Sequence, residues 1–189
     1  MNYNRSGAWE LLRKHVQSEV LLKHCLAVEI AMRAYAVKFG QDIEYWGAVG
    51  LLHDVDFEKY PEDHPNHGRE ILIAAGYDGQ FATDVEAHAR DWQPERTLVQ
   101  KTLLAVDELT GFIIACALVR PDKSLDNLEV KSVMKKFKDK AFARAVNRET
   151  MTTSAEAMNV DFKEHVAFVT KALAQAVKMP EYQELPLIG

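Results

Sequence analysis

Apolar residues recur along this sequence mostly at intervals of three and four positions. Such intervals place apolar side chains on one face of a helix, whereas a half-buried strand needs strict alternation of apolar and polar residues. No convincing alternating run bounded by turn-forming residues is present in the sequence. The sequence therefore predicts an all-α fold, a compact bundle of several helices.

Capping residues and helix breakers predict where individual helices begin and end. Ser18 can cap a helix that runs to about Phe39, before Gly40, and Asp42 can cap the next one. Further helices are predicted to end near Gly76, to span about Gln80 to Arg90 and Pro94 to Leu118, and to run from Asp161 to about Met179. Residues 125–148 are rich in lysine and arginine, and the tail after the last helix is predicted to be irregular.

The length and composition are those of an ordinary folded domain. The chain has 189 residues, of which 48% are hydrophobic and 27% are charged, and these fractions are near the values for globular proteins. The length is sufficient for one sizeable core. We therefore expect one domain over residues 1–189, without an internal repeat or a flexible linker.

Charge and cysteine usage exclude several classes of partner. The formal net charge of -5 gives no general attraction to nucleic-acid polymers or anionic membranes. Cys25 and Cys116 lack the CxxC spacing and lie in apolar runs, which indicates a reducing compartment. The N-terminal segment has no apolar core of signal-peptide length, and Asp107 and Glu108 interrupt the most apolar stretch. We expect a cytoplasmic protein without a membrane span, and the oligomeric state stays open.

Three predicted helices each carry an imidazole or a carboxylate on an otherwise apolar face. His24, His53 and Asp107 share helical stripes with aliphatic or aromatic residues, and Asp54 directly follows His53. A buried carboxylate is costly unless it is paired, hydrogen-bonded or bound to a cation. Each residue taken singly is equally explained by hydrogen bonds inside the core.

The four residues taken together are explained by a shared metal ion, because helical bundles build metal sites from inward side chains on separate helices. Two imidazoles and two carboxylates without a thiolate suit Mn, Fe, Co, Ni, Zn or Mg, and the sequence does not choose among them.

The order of His24, LLHDVD with His53 and Asp54, and AVDELTG with Asp107 resembles the HD-domain superfamily of metal-dependent phosphohydrolases. The resemblance covers residues 18–118 and leaves residues 120–180 as a C-terminal helical extension. It implies that His24, His53, Asp54 and Asp107 bind one divalent ion.

Some members of this superfamily use further histidines to hold a second ion, and the aspartate of the pair then bridges both ions. This chain offers His64, His67 and His88 as ligands for a second metal or for a phosphate. His64 is similar to the His-Pro-x-x-x-Gly form of HD-GYP cyclic-dinucleotide phosphodiesterases, and His67 to the His-Gly form of other binuclear members. We prefer His67 with His88. Cyclic di-GMP is not expected as a substrate because no Gly-Tyr-Pro motif occurs.

The resemblance implies hydrolysis of a small phosphate ester, for which a nucleotide is the expected substrate. His53 and Asp54 are the expected catalytic residues, and Asp54, Asp56 or Glu58 could orient or deprotonate the attacking water. The candidate contacts to substrate phosphate are Lys23, Arg90, Lys131, Lys135 and Arg144. The basic run that contains the last three is more simply explained as a solvated helix face.

Two other functions remain open. A few HD-domain proteins with a similar ligand set hold two irons and oxidise a carbon substrate with dioxygen. The chain could also be a non-catalytic module that binds a nucleotide or a partner protein and keeps the metal for structure.

Overall fold

The computed structural model describes residues 3–89 and 91–188, and it confirms the all-α prediction. The described residues contain no strand and form nine α-helices and one 3-10 helix: α1 (Arg5–His15), α2 (Glu19–Phe39), α3 (Ile43–Leu52), α4 (Gly68–Ala74), α5 (Gly79–Glu86), α6 (Leu98–Leu118), α7 (Val130–Lys138), α8 (Arg148–Ala157), α9 (Phe162–Ala176) and the 3-10 turn Pro180–Tyr182. None of these helices combines the length and apolar character needed to cross a bilayer.

The predicted boundaries of α2 and the start of α3 are confirmed by their caps. The Ser18 side chain accepts a hydrogen bond from the N–H of Leu21, and Gly40 closes α2 in the left-handed region with φ of 64°. The Asp42 side chain caps α3 by accepting from the N–H of Tyr45. Local capping chemistry was therefore enough to place these helix ends.

Other predicted boundaries are wrong. Helix α6 begins at Leu98 rather than Pro94, because Thr97 and Gln100 form a reciprocal capping box there. Helix α5 ends at Glu86, so His88 lies in the following turn. The last α-helix ends at Ala176, short of the predicted Met179.

Helix α1 was not predicted, and a buried ion pair fastens it to the core. The carboxylate of Glu29 on α2 is fully buried and accepts hydrogen bonds from Arg5 on α1 and Arg33 on its own helix. Arg33 also pairs with Glu44 on α3 at 2.7 Å. One buried carboxylate thus links three helices through two guanidinium groups.

Helices α2 and α3 approach closely because Gly50 on α3 has no side chain at their contact. A Cβ atom at Gly50 would lie 2.8 Å from Cγ of Met32 and 3.1 Å from the carbonyl oxygen of Val28. The backbone oxygen cannot move without moving α2. The absence of a side chain at Gly50 therefore sets the spacing between the two helices.

The C-terminal helices pack on this framework, with α8 and α9 against α6 and α9 also against α2. The buried imidazole of His165 on α9 connects them: its Nδ1 lies 2.6 Å from the hydroxyl oxygen of Tyr35, and its Nε2 lies 3.0 Å from the carbonyl oxygen of Ala105. A neutral ring satisfies both contacts when Nε2 donates to Ala105 and Nδ1 accepts from Tyr35.

We predict that Gly50→Ala lowers the free energy of unfolding by roughly 1–3 kcal/mol, because the added methyl group overpacks the contact between α2 and α3. Urea unfolding followed by circular dichroism measures the change. The matched control is Gly79→Ala, where a Cβ atom meets nothing within 4 Å. Equal effects of the two substitutions would contradict the close-approach argument.

We predict that His165 makes the protein less stable as the pH falls. Burial lowers the pKa of His165 from 6.5 to about 4, and the nearby Lys38 acts in the same direction. The unfolded chain therefore takes up the proton first, and stability decreases as the pH falls from about 6.5 to about 4, by roughly 3 kcal/mol for this group.

The comparison of wild type with His165→Gln isolates this contribution, because all other titrating groups are shared. Urea unfolding at several pH values in this window should show a weaker pH dependence for the variant. Identical pH dependence in both proteins would rule out a buried neutral His165.

Candidate metal centre

Three helices bring His24, His53 and Asp107 to one point. Nε2 of His24 lies 3.1 Å from Nε2 of His53 and 3.0 Å from Oδ1 of Asp107, and Nε2 of His53 lies 3.6 Å from the same carboxylate oxygen. His53 is fully buried at the end of α3. We call these three residues the first cluster, and their ligand atoms all lie within 4.8 Å of one another.

A second cluster lies beside the first and consists of Asp54, His64 and His88. Nε2 of His64 lies 2.8 Å from Nε2 of His88 and 3.1 Å from Oδ1 of Asp54. His88 is slightly farther from that oxygen, at 3.9 Å. The structure therefore brings together a second group of two imidazoles and one carboxylate.

The carboxylate of Asp54 faces both clusters. Its Oδ1 points to the second cluster, while its Oδ2 lies 3.6 Å from Nε2 of His24 and 3.4 Å from Nε2 of His53. Consecutive residues at the end of one helix thus serve both groups. The four residues expected to bind the first ion are placed together, with Asp54 between the two clusters.

The orientation of the imidazoles fits divalent cations. Nε2 of His53, His64 and His88 points to the clusters, while Nδ1 of each ring lies against an oxygen: the carbonyl of Gly50 at 2.8 Å, a carboxylate oxygen of Asp56 at 2.6 Å and the carbonyl of Val85 at 2.5 Å, respectively. Such partners hold the proton on Nδ1 and leave Nε2 free to bind a metal. Neutral imidazoles and carboxylates are suitable ligands for the divalent ions considered above.

The preference for His67 over His64 needs correction. Nε2 of His67 lies 2.8 Å from Oδ2 of the exposed Asp63, and its ring stacks on Tyr60 at 3.8 Å between centroids. His64, eight residues after Asp56, takes the position beside His88 instead. Both histidines lie in one loop of turns, where the sequence carries no periodicity that would distinguish them.

Asp56 and Glu58, two of the candidate bases, both accept hydrogen bonds from backbone N–H groups. Asp56 is fully buried. Its Oδ1 contacts Nδ1 of His64, and its Oδ2 accepts a hydrogen bond from the backbone N–H of His67 at 3.0 Å. Oε2 of Glu58 accepts from the backbone N–H groups of Gln17 and Ser18 before α2. Asp56 thereby orients His64, which sequence analysis did not foresee.

Arg96 is a further positioning residue that sequence analysis missed. Its guanidinium donates to the carbonyl oxygens of Ala87 and Ala89, both at 2.7 Å. These residues flank His88 in the turn after α5. The two hydrogen bonds fix the turn and therefore the direction of the His88 ring. No local sequence motif predicts this contact.

The buried carboxylates and imidazoles strongly perturb one another. Burial acts to lower the pKa of His53, but the carboxylates of Asp54 and Asp107 outweigh it and raise that pKa to about 9. Burial likewise opposes the effect of Asp54 and Asp56 on His64, whose pKa is also raised to about 9. Burial and the nearby His53 lower the pKa of His88 to about 4. A divalent cation would compete with the protons on His53 and His64.

The clusters open into a cavity of about 1240 Å³, whose lining includes His24, Asp54, His64, His88 and Asp107. Among the candidate phosphate contacts, Lys23 lines the cavity and pairs with Glu19 at 2.8 Å.

The other candidate phosphate contacts are placed differently. Lys131, Lys135 and Arg144 are exposed and are not among the lining residues, so the structure does not bring them to the clusters. Arg90 lies outside the described residues.

The fold and the paired clusters define a helical protein with a candidate site for one or two metal ions. Residues 21–111 match the family model of the HD domain. The predicted resemblance to the HD-domain superfamily, whose members are mostly metal-dependent hydrolases, is thereby confirmed over residues 21–111. No curated protein and no solved structure matches the chain significantly.

We predict that His64→Ala removes one of two bound divalent ions, whereas His67→Ala retains both, because His64 alone of this pair faces Asp54 and His88. Each variant would be reconstituted with Mn or Fe, desalted, and measured by elemental mass spectrometry. Circular dichroism would check folding. Loss of an ion in His67→Ala but not in His64→Ala would reverse the assignment.

Proposed function

We propose that this protein is a metal-dependent phosphohydrolase that acts on a small phosphate ester. The position of Asp54 carries this proposal, because one carboxylate faces two separate groups of metal ligands. Two divalent ions held side by side are a common arrangement in enzymes that displace groups at phosphorus.

In this proposal, His24, His53, Asp54 and Asp107 would hold the first ion, and Asp54, His64 and His88 would hold the second. When bound, such ions supply Lewis acidity, which makes water a stronger nucleophile near neutral pH and neutralises charge on phosphoryl oxygens. The metal is Mn, Fe, Co, Ni, Zn or Mg, as expected from the donors.

The protein residues have distinct tasks in this scheme. Asp54 fixes the separation of the two groups, and His53 is oriented by the carbonyl oxygen of Gly50. The second group has fewer protein donors than the first, which leaves more room there for water and substrate. The cavity is lined by residues of both groups, so an ester that enters it can approach both, while the buried His53 lies behind the lining.

The nearby thiol does not supply an alternative nucleophile. Cys25 follows His24 but is fully buried, and its pKa is raised well above the ordinary value by burial and by the carboxylates of Asp54 and Asp107. A neutral buried thiol is a poor nucleophile. This supports water as the attacking group, whereas the expectation of a nucleotide substrate stays a prediction.

The proposal is tested with Asp107→Ala, which removes a carboxylate from the first cluster. Phosphate release from a panel of phosphate monoesters should fall by a factor of roughly 100 or more, since loss of a metal ligand weakens binding at least as much as loss of its support. His67→Ala is the matched control and should retain its activity. A metal-loaded wild type that releases phosphate from none of the esters would contradict the proposal.

Oxygenation by a di-iron centre is the second candidate, and the presence of a second cluster with two imidazoles favours it. It is distinguished by the metal that supports turnover. Two irons per chain with a mixed-valence resonance signal and dioxygen consumption would favour oxygenation, whereas Mn- or Co-stimulated phosphate release would favour hydrolysis.

A non-catalytic binding module is distinguished by the same substitutions. Asp107→Ala or His53→Ala should abolish turnover in an enzyme. A folded binding module would instead keep its nucleotide or protein partner after either substitution.

A further inference from the structure

One wall of the cavity is an apolar stripe of α6 that starts at the first cluster. Beyond Asp107, the residues of α6 that line the cavity include Gly111, Ile114, Ala115 and Leu118. Their spacing of three and four positions keeps them on one face of the helix. With a rise of 1.5 Å per residue, the stripe extends about 16 Å from Asp107 to Leu118.

Apolar residues from outside α6 also line the cavity. They include Val20, Leu21, Phe57, Val146 and Leu187. Val20, Phe57 and Leu118 are also large hydrophobic side chains that are at least 40% exposed. Exposed apolar side chains gathered around one cavity indicate a binding surface, whereas scattered ones need no explanation.

The charged residues of the cavity are mainly acidic. Besides the cluster carboxylates, its lining includes Glu58, Asp91 and Glu108. Within the described ranges 3–89 and 91–188, Lys23 is the single lysine or arginine of the lining, and it already pairs with Glu19. Away from the clusters, such a cavity disfavours further negative charge on a ligand because like charges repel.

From these observations we propose that the substrate is a phosphate monoester of an apolar alcohol, whose hydrocarbon part lies along α6 while its phosphate meets the two clusters. The inference rests on the proposed phosphohydrolase function and narrows it. It departs from the expected nucleotide. In a nucleotide the polar ribose, and not a hydrocarbon chain, would follow the phosphate along the apolar stripe, and the further phosphates of a di- or triphosphate would face carboxylates.

The reaction is a balanced hydrolysis. The oxygen of water forms a bond to phosphorus, and the bond between phosphorus and the alkoxy oxygen breaks. The alkoxy oxygen takes a proton that originates from the water, so that the alcohol and hydrogen phosphate leave. No oxidant or reductant takes part.

Binding can be measured without turnover by using n-alkylphosphonates, whose carbon–phosphorus bond is not hydrolysed by this reaction. Calorimetry on the metal-loaded protein, from ethyl- to octylphosphonate, should show affinity that rises by roughly fourfold per buried methylene group. The heat-capacity change of binding should become more negative along the series. An affinity that does not depend on chain length would overturn the inference.

A matched pair of variants tests the position of the hydrocarbon. Ile114→Thr introduces a hydroxyl into the stripe, and Ile73→Thr makes the same change on α4, at a side chain 46% exposed outside the cavity. The ratio of octyl- to ethylphosphonate affinity should fall roughly threefold to tenfold in Ile114→Thr and stay unchanged in Ile73→Thr. Equal ratios in both folded variants would overturn the placement along α6.

Turnover separates this inference from the proposed function. Phosphate release that is fastest with octyl phosphate supports both, whereas faster release from adenosine monophosphate overturns the apolar substrate and leaves hydrolysis intact. Chain-length-dependent binding without phosphate release from any ester would support the apolar cavity and overturn hydrolysis. If Ile114→Thr fails to fold, the calorimetric series of alkylphosphonates on the wild type still tests whether the cavity binds a hydrocarbon chain.

Discussion

The carboxylate of Asp54 is the group around which the rest of the structure has to be arranged. Together with the buried Asp56 and the adjacent Asp107, it concentrates negative charge in a region largely removed from water. Such a concentration is stable only with positive charge beside it. The imidazoles that surround Asp54 satisfy this requirement as protonated rings or as ligands of cations. Helix α2 carries His24, the end of α3 carries His53, and two turns carry His64 and His88.

The framework achieves this placement largely through backbone contacts. Gly50 allows α3 to lie close to α2, and the same residue accepts a hydrogen bond from the His53 ring. One position therefore controls both the distance between the helices and the direction of a ligand. His165 ties α9 to α2 and α6, so the C-terminal helices support the elements that carry His24 and Asp107.

The sequence predicted what depends on local chemistry and missed what depends on tertiary contacts. The caps at Ser18 and Asp42 needed only neighbouring residues and were placed correctly. Inward residues on periodic helices were likewise recognisable. The choice between His64 and His67 depended on the course of a loop, and the support that Arg96 gives to His88 depended on carbonyl groups, which carry no sequence signal.

The residues of the first cluster lie in or at the end of helices, whereas the histidines of the second cluster lie in turns. His24 and Asp107 lie within helices of 21 residues each, and His53 ends a third helix. His64 and His88 lie in turns, where local opening costs less free energy than it does in a packed helix. An ion held by the first cluster would therefore exchange more slowly than an ion held by the second, so that the occupancy of the second position would follow the supply of metal more closely.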